Sequence, residues 1–112
     1  GFEDILEFIY RNKTVINNIY MVVDRSSIRQ FLNELIYRHA AIVINKEIAG
    51  QEYSNKALDV ITDFYKNAFF EAIITWIDEG MKQKPKELAT LYSNVFKGTV
   101  EAALKSAELT YK

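Results

Sequence analysis

Four glycines and one proline in 112 residues leave this chain few places to turn sharply. Hairpins between strands lean on those two residue types, one for positive φ and the other for a fixed φ, so a many-stranded sheet is poorly served and helix becomes the default. The length suits one domain over residues 1–112, in which folding removes roughly two thirds of the unfolded surface from water. Hydrophobic residues at 49% and charged ones at 26% belong to a chain that packs, not to a disordered one.

Apolar periodicity predicts an all-α bundle of four to five helices. Phe2, Ile5, Leu6 and Ile9 recur at helical spacing. Their segment extends to about Asp24, with a kink or break at Asn12-Lys13-Thr14 where Thr14 is a candidate cap, giving one bent helix or two short ones. A second helix is expected from the cap residue Ser26 to about Ala49, before Gly50. A third runs from Ser54 to Gly80, and Pro85 opens a fourth that continues to about Leu109. Gly98, inside that fourth helix, marks either a close helix crossing or a local break.

The widths of the apolar faces carry more information than their existence. Successive helical residues turn by about 100°, which puts Ala57, Val60, Ile61, Phe64 and Ala68 on one side of the third helix and Asp59, Asp63 and Lys66 opposite. Further along, Phe70, Ile73, Ile74 and Ile77 enter the sector those charges occupied, while Ala68, Ala72 and Trp76 continue the first stripe. The fourth helix is similarly broad, with Leu88, Leu91, Tyr92, Val95, Phe96, Val100, Ala103, Leu104 and Ala107. A helix that is apolar on two sides needs two layers of cover. A four- or five-helix chain of this size provides one layer, so the second is expected from a second copy, the last two helices of each making an intermolecular four-helix bundle; the alternative is burial against the first two helices of the same chain.

Several function classes find little support. A formal net charge of −1 gives no basic face for a phosphate backbone. The most apolar stretch, Ala57 to Ile77, is interrupted by Asp59, Asp63, Lys66 and Glu71, each costly in hydrocarbon, and no export signal opens the chain; no membrane partner and a cytoplasmic location are expected. With one histidine, no cysteine, no glycine-rich phosphate loop and no Glu-x-x-His pair, neither catalysis nor a cofactor nor a metal is expected. Asp59 and Asp63 lie one turn apart beside Lys56 and Lys66, the pattern of a solvated face. The lysines of Met81 to Lys86 read as a charged loop between Glu79 and Glu87. Asn12-Lys13-Thr14 matches a glycosylation sequon, which has no meaning without a secretory route.

His39 is the residue whose placement asks for a reason. It falls in the arc of Ile28, Phe31, Leu32, Leu35, Ile42 and Val43, so it points inward. There it is either a core histidine hydrogen-bonded to one of the seven tyrosines or the polar contact of an apolar pocket with aromatic neighbours such as Phe31, Phe64 and Tyr65.

The stretch Trp76-Ile77-Asp78-Glu79-Gly80-Met81-Lys82-Gln83-Lys84-Pro85-Lys86-Glu87-Leu88-Ala89 resembles the Trp-x-x-x-Gly-x-x-x-x-Pro-x-Glu-Leu-Ala pattern of TetR-family regulators of Gram-positive bacteria. The run Phe2 to Ile9, followed by Asn12-Lys13, is similar to the start of their C-terminal domain. The resemblance implies a regulatory half that dimerises through its last two helices and, in many members, binds a small inducer among the helices before them. The helix-turn-helix that reads DNA would precede Phe2, and the initial Gly1 suggests that such a segment has been removed. DNA would then be reached only through that missing domain. On this reading Phe70, Ile73, Trp76, Ile77, Leu88, Tyr92, Val95 and Phe96 are interface candidates. Tyr20, Phe31, Leu35, His39, Phe64, Tyr65 and Ala68 are pocket candidates for a small lipophilic or aromatic effector. The expected function is effector sensing and homodimerisation in a transcriptional repressor; the rival is a helical module that dimerises or docks a partner without sensing.

Overall fold

The computed structural model describes residues 1–20, 24–48 and 50–111. Within them the chain forms α1 (Phe2–Arg11), α2 (Lys13–Asn18), α3 (Arg25–Ile48), α4 (Asn55–Asp78), α5 (Pro85–Phe96) and α6 (Thr99–Thr110), with no strand among the described residues. The all-α expectation holds; the first segment is two short helices, and the helix number exceeds the expected four to five because the last segment also breaks. At the first break Asn12 leaves helical geometry, with φ −104° and ψ 23°, and its Nδ2 donates to the carbonyl of Phe8 at 2.8 Å. The Asn12 amide donates to the same carbonyl at 3.2 Å, so side chain and backbone of one residue close the end of α1 together. Asn12, not Thr14, then precedes α2. At the second break Gly98 has φ +77°, and a Cβ there would meet nothing within 4 Å. The glycine therefore serves a left-handed turn, not a close crossing.

The caps follow the same logic with one correction. Ser54 caps α4 as expected, its Oγ accepting from the Ala57 amide at 3.2 Å. At α3 the cap is Asp24 and not Ser26: Asp24 Oδ1 accepts from the Ser27 amide at 3.1 Å, and Ser26 Oγ donates to the same oxygen at 3.2 Å. A carboxylate at a helix N-terminus satisfies free amides and meets the positive end of the helix dipole. Hydrogen bonds from Ser27, foremost, and Ser26 hold its pKa below the usual aspartate value. The predicted end of this helix at Ala49 lies outside the described residues.

α4 is the axle of the fold. α3 lies antiparallel beside it, with Arg25 paired to Asp78 at 3.5 Å and Arg29 to Glu71 at 3.3 Å. α6 folds back against both α4 and α3, and α1 packs against α5. Rings from α1 also reach α4: Tyr10 stacks on Trp76 at 6.3 Å between centroids, and Phe2 meets Phe69 at 4.9 Å. On the α3 side the Arg29 guanidinium lies 5.0 Å from the centre of the Phe70 ring. One continuous apolar core results, running from Leu6 and Ile9 through Leu32, Ile36 and Ile44 to Ile73, Val100 and Leu104.

This arrangement overturns the argument that the broad faces of α4 exceed what the chain can hide. Phe70, Ile73, Trp76, Ile77 and Leu88 are all at most 7% exposed within the single chain. Rings of α1 add to the cover that α3 gives, and the turn at Gly98 sends α6 back to provide more. Those five residues are core within the single chain. Along α3 the buried line is Leu32, Ile36, Ala40 and Ile44, so the expected arc was rotated: Phe31 and Ile42 face solvent, at 50% and 55% exposure.

Candidate functional site

The turn between α4 and α5 sets the position of the site. α4 closes with the Gly80 amide donating to the Ile77 carbonyl at 3.0 Å and the Met81 amide donating to the Trp76 carbonyl at 2.8 Å. That double closure needs a left-handed residue at its centre, and Gly80 has φ +84°. The Trp76 indole N–H reaches across to the Gln83 carbonyl at 2.8 Å, and Pro85 occupies the first position of α5, where its missing N–H costs nothing. Tryptophan, glycine and proline at this spacing are thus the parts of one rigid corner.

Above that corner, α1, α3, α4, α5 and the start of α6 surround a cavity of about 390 Å³. α1 contributes Phe2; α3 contributes His39, Val43 and Glu47; α4 contributes Tyr65 and Phe69. α5 adds Ala89, Tyr92, Ser93 and Phe96, and the Gly98 turn adds Lys97 and Val100 beyond it. The aromatic rings brace one another, with Phe69 and Phe96 at 5.4 Å, Tyr65 and Phe96 at 5.6 Å, and Tyr92 and Phe96 stacked at 6.0 Å. These separations lie in the range where offset and edge-to-face pairs attract. Thr99 Oγ1 donates to the Phe96 carbonyl at 2.8 Å. Its only proton is thereby used, so in its short contact with Tyr65 the tyrosine hydroxyl is the donor.

His39 sits between Phe2 at 5.9 Å and Phe69 at 6.2 Å, centroid to centroid. Burial pushes its pKa below the usual histidine value, and the positive charges of the chain's α-amino group and Lys46 add to the effect. No hydrogen bond contributes to that shift. The imidazole is therefore neutral near pH 7 and carries one donor and one acceptor. Among the described residues no three His, Cys, Asp or Glu side chains gather as a metal site would require.

Over residues 1–98 the chain matches the TetR-type family described as transcriptional regulator C-terminal region. The chain belongs to this family. No curated protein matches it. No solved structure matches it either. Within this TetR-family C-terminal region the match takes in α1 to α5 and ends at Gly98, so α6 lies beyond it.

Of the residues singled out in the TetR-family reading as pocket candidates, His39 and Tyr65 line the cavity. Tyr20 is 1% exposed and lies elsewhere, under the Arg25 guanidinium at 4.5 Å from its ring centre. Phe31 and Phe64 are exposed, and Leu35 and Ala68 are half-buried outside the lining. Tyr92 and Phe96, interface candidates in the TetR-family reading, are walls of the cavity. Val95 is 57% exposed, and so are Leu91 at 47%, Phe64 at 63% and Val60 at 44%. Helical phase sets Val60 and Phe64 on one side of α4, and Leu91 and Val95 on one side of α5, so each helix carries an exposed apolar pair. Along α5 runs an open groove lined by Lys84, Lys86, Glu87, Thr90, Leu91 and Asn94.

Proposed function

We propose that this domain is the effector-sensing and dimerising half of a TetR-like repressor, with the cavity at His39 as the effector site and the exposed pairs Val60 and Phe64 of α4 and Leu91 and Val95 of α5 as the dimer face. The observation that supports it most is the cavity itself. Five aromatic rings and a neutral imidazole with unspent hydrogen-bonding capacity stand around an opening. Effector sites are concave, mainly apolar and sparing in polar groups. A domain that only dimerised would gain stability by filling such a space, since unfilled volume forfeits packing contacts.

The walls also suggest a route for the signal. Phe2 belongs to α1, the first helix of the domain, whereas Tyr92 and Phe96 belong to α5, next to the proposed dimer face. A ligand wedged among them bears on both at once. If it binds one tilt of α1 better than another, it shifts the population toward that tilt. DNA readers joined ahead of Phe2 would then change their separation, on which half-site binding depends.

Thermal unfolding with and without a panel of aromatic and lipophilic compounds tests the sensing role. A true ligand at a hundred times its Kd is expected to add about 2.7 kcal/mol. A panel in which no compound raises the midpoint, or in which those that do act equally on a variant with Ala89→Trp filling the cavity, would refute the reading.

A further inference from the structure

We propose that the cavity selects a neutral aromatic molecule of two or three rings carrying a hydroxyl group, which hydrogen-bonds to His39. This deepens the effector-site reading above and rests on it. The inner walls are Phe2, Phe69, Tyr92, Phe96, Val43 and Val100, which offer ring faces and edges to a flat ligand and no charge. Glu47 and Lys97, the charged side chains of the lining, are exposed and of opposite sign, so together they attract neither anions nor cations. An ion entering this space would lose its hydration without gaining a counter-charge, a cost that excludes it.

Beside the hydroxyls of Tyr65 and Tyr92, the interior supplies one imidazole, that of His39. Its ring is held in place by Phe2 and Phe69, while the Tyr65 hydroxyl is already committed to Thr99. Burial keeps His39 uncharged, which leaves it one donor and one acceptor. A hydroxyl group matches that pair, being itself donor and acceptor, and a ligand without one leaves the imidazole unpaired in an apolar site. Sites built around a hydrogen bond reject the analogue that lacks it for this reason. The volume of about 390 Å³ lies toward the small end of ligand cavities, which span roughly 300–1,000 Å³, and limits the occupant to a few fused rings.

The experiment is a calorimetric titration of the chain at pH 7.5 with four probes: 2-naphthol, naphthalene, 2-naphthoate and 2-naphthyltrimethylammonium. Wild type is expected to bind 2-naphthol about tenfold more tightly than naphthalene, the worth of one well-made hydrogen bond, and to bind both ions more weakly still. In His39→Leu the hydroxyl preference disappears while naphthalene binding persists, and His39→Gln, which keeps a donor and an acceptor, restores part of it. Should His39→Leu fail to fold, the ring 15N shifts of His39 in wild type decide the matter, since they move with 2-naphthol and stay with naphthalene. Tighter binding of either ion, or a hydroxyl preference that survives in His39→Leu, overturns the proposal and leaves the effector site standing. Absence of binding by all four probes overturns both.

Discussion

The indole N–H of Trp76, near the end of α4, donates to the backbone carbonyl of Gln83 at 2.8 Å, joining two points on either side of the Gly80 turn. This bond fixes the angle at which α5 leaves α4, and with it the placement of Tyr92 and Phe96 in the cavity wall. Trp76→Phe keeps a ring against Tyr10 but removes the donor, leaving a carbonyl without its partner. A loss of about 1–3 kcal/mol is expected, read from the urea midpoint. An unchanged midpoint would mean that the corner is held by the Gly80 closure alone.

At the start of α3 two neighbouring residues give opposite expectations. Asp24 caps the helix, so Asp24→Ala should cost about 1 kcal/mol. Ser26 only donates to that carboxylate from an exposed site, and Ser26→Ala should stay within about 0.5 kcal/mol. Chemical denaturation of the two variants side by side checks the assignment, and equal losses would return the cap to Ser26.

Much of the fold was legible because helix punctuation is local. Ser54 and Gly80 act through bonds to residues a few positions away, Pro85 acts through its own fixed φ and missing N–H, and periodicity located α3 and α4 within a residue or two. The burial of α4 was not legible, since the width of an apolar face says how much cover is needed and nothing about which chain provides it. Phe70 and Ile73 look the same in sequence whether α3 or a second subunit lies over them. The cavity suffered from the same ambiguity. His39 was visible as an inward polar residue, but Phe2, Phe69, Tyr92 and Phe96 come together from three helices, and no spacing along the chain encodes that meeting.

The depressed pKa of His39 makes a statement about stability. The folded chain binds this proton more weakly than the unfolded chain does, so between the two pKa values the unfolded state carries more protons and stability rises with pH. On acidification the loss begins as the unfolded histidine titrates, near its usual 6.5, and is complete once pH has passed below the folded value. Asp4 and Asp24, whose pKa values are also lowered, lose their contributions further down, in the carboxylate range. Unfolding midpoints between pH 7.5 and 5 should therefore fall in wild type and stay nearly level in His39→Leu. Parallel slopes in the two proteins would remove His39 as the cause.

The two apolar surfaces of α4 make different predictions, and together they separate folding from association. Ile73 is 0% exposed and belongs to the core of one chain, so Ile73→Ala should lose about 2–5 kcal/mol at every protein concentration. Phe64 is 63% exposed and contributes little to that core, so Phe64→Glu should leave the unfolding of a single chain almost unchanged. If a second copy covers these exposed pairs, the introduced carboxylate must be buried without a partner or repelled by its symmetry mate, because a two-fold interface brings the same patch of both subunits together. Leu91→Glu, in the exposed pair of α5, should behave alike. Sedimentation at micromolar concentration is expected to give a particle of twice the 13.0 kDa chain mass for wild type and Ile73→Ala, and of the single mass for Phe64→Glu and Leu91→Glu. A wild-type chain that sediments alone would leave the exposed pairs without this partner, and a dimer that survives both glutamates would put the interface on another face.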